Sequence, residues 1–228
     1  MTEIKTKMNQ DLLHGLAREE TNKAVLLYSG GVDSTAAGMM LCDAGYEVHP
    51  LLIDYGQSSV TVERFLGTTV TKGIGFEPTR VIKTDLMKDL TKSKLLGESA
   101  LDDEDAWVPG RNTLFMVIAG IYAQQINADG ISIGYMLDDN FVFGDNDFFH
   151  HKGIETVLSK SFSRPMEVFM PTRSKNKIDL LRFLRSRGVL ESTVSCWNAS
   201  LESEQIVTCD ACANCIERSR STAELDKK

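Results

Sequence analysis

The chain has 228 residues, 42% of them apolar and 25% charged. That is ordinary globular usage for one mid-sized domain with a small appendage, and it excludes disordered, collagen-like and disulfide-scaffold classes. Lys and Arg number 25 against 32 Asp and Glu, a net charge of −7, which argues against a general binder of nucleic-acid phosphates or anionic membranes.

Residues 1–22 read as an N-terminal extension. They are polar, lack a signal-peptide core, and carry Leu12, Leu13 and Leu16 as a weak amphipathic set that predicts a short helix. No apolar run reaches the roughly 18 residues of a membrane helix, so a soluble cytoplasmic protein is expected. Residues 24–28 (AVLLY) form a continuous apolar run closed by Ser29, Gly30 and Gly31, as a buried parallel strand does. A helix is expected over 35–44, ended by Gly45. A second strand follows over 47–53, with Pro50 pointing to an edge or an irregular start. A helix over 60–70 and a brief strand over 80–82 come next, then a stretch, 83–105, that is mostly loop. Residues 112–125 give the clearest helix, with Leu114, Val117, Ile118 and Ile121 on one face. A strand is expected over 130–134, a loop over 137–147, a helix over 148–162, a strand over 168–170 and a helix over 177–187.

Strands alternating with helices predict an α/β domain with a mainly parallel sheet. Ligands of such sheets bind beyond the carboxyl ends of the strands, so the loops after Tyr28, Ile53 and Ile133 should share one face. The first of these loops, Ser29-Gly30-Gly31-Val32-Asp33-Ser34, joins a strand to a helix. Its glycines let backbone approach an anion, and the helix start offers free N–H groups. Ser29, Ser34 and Thr35 add hydroxyls. Asp33 makes sense there if it caps local N–H groups or helps to hold Mg²⁺. Neither G-x-x-x-x-G-K-[ST] nor G-x-G-x-x-G occurs, which excludes an ordinary P-loop NTPase and disfavours a dinucleotide dehydrogenase.

Two more turn segments lie on the expected ligand face. Asp54-Tyr55-Gly56-Gln57 follows the second strand, and Val108-Pro109-Gly110-Arg111-Asn112 opens the strongest helix. Arg111 can clamp a phosphate or carboxylate, and Asn112 can cap the helix or bond a ligand. Near the end stand Cys196, Cys209, Cys212 and Cys215. Four thiolates suit a closed, structural Zn²⁺ site, with a redox dithiol or an iron–sulfur cluster as alternatives. Cys42 reads as a small buried apolar residue and His150-His151 as a solvated helix pair.

The loop SGGVDS looks like the PP-loop of the ATP pyrophosphatases. Together with DYGQ, VPGRN and the four-cysteine tail it resembles the QueC family of 7-cyano-7-deazaguanine synthases, over nearly the whole chain. The resemblance implies an adenine-nucleotide α-hydrolase-like sandwich, with a PP-loop domain over 23–190 and a zinc segment over 191–228. It implies an ATP-dependent carbon–nitrogen ligase that adenylates the carboxylate of 7-carboxy-7-deazaguanine. Ammonia then gives the amide, and a second ATP dehydrates it to the nitrile. Tyr28, Ser29, Gly30, Gly31, Val32, Asp33, Ser34, Thr35, Gly56 and Gln57 would bind ATP with Mg²⁺. Asp33, Ser34, Arg111 and Lys177 would act catalytically, Lys177 by neutralising phosphate charge. Arg111, Asn112, Phe143 and Asp145 would hold the deazaguanine, Phe143 by stacking and Asp145 by accepting from a guanine-type N–H. A homodimer is also implied.

The family's Ser-Gly-Tyr-Pro-Asp-Cys-Arg run is replaced here by residues 141–147, FVFGDND. Asp147 stands where the family has Arg. The fate of the activated acid is therefore open between ammonia and a protein amine, the latter as in QueC-like paralogues of antiviral defence. Other PP-loop ligases and tRNA-modifying enzymes are rivals, as is a non-enzymatic nucleotide-sensing module.

Overall fold

The computed structural model describes residues 22–136, 144–145 and 147–227. The short helix expected from Leu12, Leu13 and Leu16 and the stacking ring Phe143 lie outside them.

Five parallel strands form the central sheet in the order β3-β2-β1-β4-β5. They are β1 (Lys23–Leu27), β2 (Glu47–Asp54), β3 (Arg80–Lys83), β4 (Gly130–Ser132) and β5 (Glu167–Phe169). Alternation along β1 assigns its side chains to two cores. Val25 joins Leu51, Ile131 and Val168 on one face, and Ala24 and Leu26 join Val48 on the other. Helices cover both faces, as a parallel sheet requires. On the Val25 side lie α5 (Arg111–Gln125) and α6 (Phe148–Phe162), contributing Met116, Ala119, Ala123, Ile154 and Leu158. On the Leu26 side lie α1 (Val32–Asp43) and α7 (Lys177–Ser186), contributing Ala36, Ala37, Leu180, Leu181 and Leu184. Between the strands run α2 (Val60–Thr69), α3 (Leu86–Leu90) and α4 (Asp103–Ala106). The C-terminal segment adds the hairpin β6 (Ser200–Glu202) and β7 (Gln205–Val207), then α8 (Ala213–Leu225).

Several expectations need correcting. Pro50 does not mark an edge, because β2 lies between β3 and β1. The pairing with β3 begins only at Leu51–Arg80. Val48 O accepts from Glu77 N–H on that side, whereas Leu51 O accepts from Tyr28 N–H. The nitrogen of Pro50 therefore faces the β3 side one residue before β3 arrives, and no ladder bond is lost. The stretch 83–105 is not all loop, since α3 and α4 interrupt it. Helix α1 starts at Val32, directly on the glycine loop. His151 is not solvated: it is fully buried. Cys42 is half-buried, its Sγ 3.9 Å from Gly75 O, and burial pushes its thiol up.

Candidate active site

The loops after β1, β2 and β4 converge on one cavity of about 360 Å³. It is lined by Ser29 to Ser34 (without Gly30), by Tyr55, Gln57 and Glu63, by Arg111 and Asn112, and by Gly134, Tyr135 and Lys177. The C-terminal segment closes one wall with Val194 to Trp197 and Asn214.

The glycine loop is shaped by two close approaches. Gly30 has φ +73°, and a Cβ there would lie 2.5 Å from Leu66 Cδ1. Its carbonyl accepts from Val194 N–H at 3.0 Å, tying the loop to the C-terminal segment. Gly31 is the N-cap of α1 and offers no side-chain cap, so the helix start faces the cavity with its donors open. Ser34 Oγ accepts from Ser29 N–H and donates to Gly31 O, which fixes the loop's curl. From the β4 side, Gly134 lies against the first turn of α1. A Cβ on it would stand 2.5 Å from Asp33 C and 2.6 Å from Ser34 N. Only glycine admits that backbone-on-backbone contact.

Lys177 is the first residue of α7, whose start is fixed by a capping box between Asn176 and Asp179. Its ammonium donates to Asp33 Oδ1 and Oδ2 at 2.8 and 3.0 Å and stands 3.3 Å from Glu217 Oε2 on α8. Burial alone would lower the Lys177 pKa, but Asp33 and Glu217 outweigh it and hold it above the usual lysine value. Lys177 is thus charged and aimed at the loop from the neighbouring helix on the same face of the sheet.

At the β2 end, Gln57 accepts from Tyr55 N–H and donates to Ile53 O and to Glu63 Oε2. Its amide hydrogens are spent inside the protein. Gly56, at φ +86°, turns the chain but does not line the cavity. Arg111 donates to Tyr55 Oη at 3.3 Å and faces the cavity.

Asp145 takes a different position from the one expected. Its Oδ2 accepts from Asn112 N–H at 3.2 Å, capping α5, whose own N-cap is a glycine. Asp147, the residue that reverses the family's charge, caps α6 by accepting from Phe149 and His150 N–H. Thr35 and Tyr28 Oη are buried beneath the loop. The Tyr28 ring packs edge-on against Phe76.

The sequence reading missed Glu63, Phe115, Met116, Tyr135, His151, Trp197 and Asn214 as cavity residues. No motif flags them, because helix rotation and the C-terminal segment bring them in. His151 packs edge-on against Tyr135, ring centroids 4.7 Å apart. Among the described residues neither ring nitrogen has a hydrogen-bond partner of good geometry, although the Asp145 main chain is close enough to favour the charged ring. Burial pulls the imidazole down to about 4, His150 adds to that, and Asp147 and Asp145 oppose it. Between about pH 6.5 and 4 the unfolded chain then holds a proton that the folded chain rejects. Acidification through that window should cost on the order of 3 kcal/mol of stability. In His151→Phe this part of the acid sensitivity should vanish, read from denaturant midpoints at pH 7, 5.5 and 4.5. An unchanged slope would show that other groups carry it.

The four cysteines meet as one cluster, all Sγ atoms within 4.8 Å of one another. Cys196 and Cys209 Sγ are 3.5 Å apart, Cys209 and Cys215 4.0 Å. Four thiolates about 2.3 Å from a tetrahedral centre stand about 3.8 Å apart, so the donor set fits one zinc-sized ion. Cys209 Sγ accepts from Cys212 N–H and Asn198 Nδ2. Burial raises this thiol, but neighbouring N–H donors prevail and bring it down to about 6, whereas burial pushes Cys196 and Cys215 up.

The family model described as "Queuosine biosynthesis protein QueC" matches residues 23–226. The chain belongs to the QueC family. Among relatives, the 7-cyano-7-deazaguanine synthase of Methanobrevibacter smithii is 27% identical, over 91% of this chain and 96% of its own length. That of Saccharophagus degradans is 30% identical over 83% and 89%. Among solved structures, a 4-thiouridine synthetase–RNA complex with bound ATP superposes with a TM-score of 0.52. It is 18% identical and covers 90% of this chain and 50% of that one. The U34-tRNA thiolase NcsA of Methanococcus maripaludis, with its [4Fe-4S] cluster, gives 0.51 at 16% identity, over 97% and 73%. These likenesses show the PP-loop α/β fold. Among the described residues of this QueC-family chain, no helix is long and apolar enough to cross a membrane.

Proposed function

We propose that the protein is an ATP-dependent ligase acting on 7-carboxy-7-deazaguanine. The observation that carries this reading is the pairing of Lys177 with Asp33 over the open start of α1, inside a cavity that also holds Arg111. The β- and γ-phosphates would lie on Ser29, Gly31 and the N–H groups of α1. Lys177 would take up phosphate charge, and Asp33 would hold Mg²⁺, which would supply charge neutralisation for the leaving pyrophosphate. The substrate carboxylate oxygen attacks the α-phosphorus, the bond to the β-phosphate oxygen breaks, and pyrophosphate leaves. Ammonia attacks the acyl carbon, a proton goes to solvent and AMP leaves, giving the amide. The amide oxygen then attacks the α-phosphorus of a second ATP, a second pyrophosphate leaves, and loss of AMP and two protons gives the nitrile. Preorganised donors and positioning supply most of the acceleration. Zn²⁺ on the four cysteines would be structural, because no ligand position is left open.

A second reading has the adenylate transferred to a protein amine. The departure from the family's run at residues 141–147 favours it, since Asp145 and Asp147 cap helices and do not line the cavity. One assay separates the two. The protein is incubated with Mg-ATP and 7-carboxy-7-deazaguanine, with and without ammonium, and products are weighed by mass spectrometry. Free nitrile with AMP is the expected result. AMP with a mass shift on protein supports the second reading, and absence of AMP under either condition overturns both.

A further inference from the structure

The β2 end of the cavity holds a carboxylate that the phosphate chemistry does not use. Glu63 lies in the first turn of α2 and lines the cavity with Tyr55, Phe115 and Trp197. Both of its oxygens are oriented from behind. Ser59 Oγ donates to Oε1 at 2.6 Å, and Gln57 Nε2 donates to Oε2 at 2.8 Å. Gln57 is itself locked by Tyr55 N–H and Ile53 O, so the carboxylate cannot swing. A carboxylate accepts about four hydrogen bonds; two sites, one on each oxygen, are left for a ligand. Burial pushes the Glu63 carboxyl up, and its two donors and Arg111 compensate only in part. The anion is short of donors.

We propose that Glu63 is the specificity-determining residue for the base. Its two oxygens accept from the ring N–H and the exocyclic amine of a 2-aminopyrimidinone edge. The inference rests on the reading that the substrate is a deazaguanine. The pattern of donors selects that base over adenine. A guanine-type edge presents two adjacent donors to a carboxylate. The corresponding adenine edge presents one amine and one ring-nitrogen lone pair, and the lone pair would face an oxygen of like charge. Asp145, the acceptor expected from sequence, caps α5 through Asn112 N–H and does not line the cavity. Glu63 lines the cavity with both oxygens oriented by neutral donors, whereas those of Asp33 are taken by Lys177.

The test compares 7-deazaguanine with 7-deazahypoxanthine, which lacks the exocyclic amine, by calorimetry on the whole chain. A site built to pair a donor rejects the analogue lacking it, and one hydrogen bond to a charged acceptor makes that about 10²-fold in affinity. The unmodified protein should show that preference, and Glu63→Gln should lose it. The glutamine oxygen can face Gln57 and its amide can face the Ser59 hydroxyl, so the thermal midpoint should stay unchanged. ATP affinity should also stay unchanged, while KM for 7-carboxy-7-deazaguanine rises with kcat largely kept. Equal binding of the two bases by the unmodified protein overturns the inference without any variant. So does a Glu63→Gln protein that loses ATP affinity but keeps the base preference. A protein that discriminates the bases yet releases no AMP from the carboxylated substrate sinks the proposed reaction and leaves the role of Glu63 standing.

Discussion

Asp33→Ala is expected to lower AMP release by about 10²–10³-fold with the fold intact. The side chain is about one-third exposed and faces the cavity, so its removal opens no core void. The change leaves Lys177 with Glu217 alone at 3.3 Å, and the cost in stability should stay near 1–2 kcal/mol. Chemistry should suffer far more, since the change removes the carboxylate nearest the open start of α1. Single-turnover AMP release, beside a thermal melt, checks it. Undiminished AMP release would mean that Asp33 only holds Lys177 in place and touches neither metal nor phosphate.

Cys209→Ser should remove the bound metal and most of the soluble, active protein together. Cys209 sits at the centre of the cluster, bonded through Sγ or N–H to Cys196, Cys212 and Asn198. The core around it is small: Val62, Leu66, Ala199 and two of the cysteines themselves. Structural zinc sites supply folding free energy that so small a core cannot replace. The loss would reach the cavity, because Val194 N–H holds Gly30 O and Cys196 and Trp197 form a wall. The expected readout is one zinc per chain in the parent by elemental analysis and none in the variant. The variant's melting point should fall by about 10 °C, as follows from a few kcal/mol in a domain of this size. Full stability without metal would overturn the structural role. Broad visible absorbance with bound iron would replace zinc by a cluster.

The parts of the site that were legible in sequence are those set by local backbone chemistry. The strand–SGGVDS–helix unit, the DYGQ and VPGRN turns and the cysteine spacing each state their geometry within a few residues. Lys177 was legible only through the family resemblance, because its neighbours Arg173 and Lys175 carry the same charge. What the sequence hid depends on rotation and partner choice. His150 and His151 are adjacent, yet one bonds Thr113 and the other is sealed under Tyr135. Pro50 suggested an edge because the register of a distant strand cannot be read from one proline. Helices α3 and α4 are too short to show a period. Asp147 looked like a reversed substrate contact until its helix-capping bonds were visible.

The Lys177–Asp33–Glu217 arrangement bears on which anions the protein ignores. With its ammonium already matched by two carboxylates, Lys177 offers no bare positive charge to stray orthophosphate or sulfate. A visitor must displace Asp33 to reach the lysine, and only a polyphosphate carrying its own divalent counter-ion gives Asp33 somewhere to go. Millimolar inorganic phosphate should therefore inhibit weakly, and occupancy should follow the metal-loaded nucleotide rather than total anion concentration.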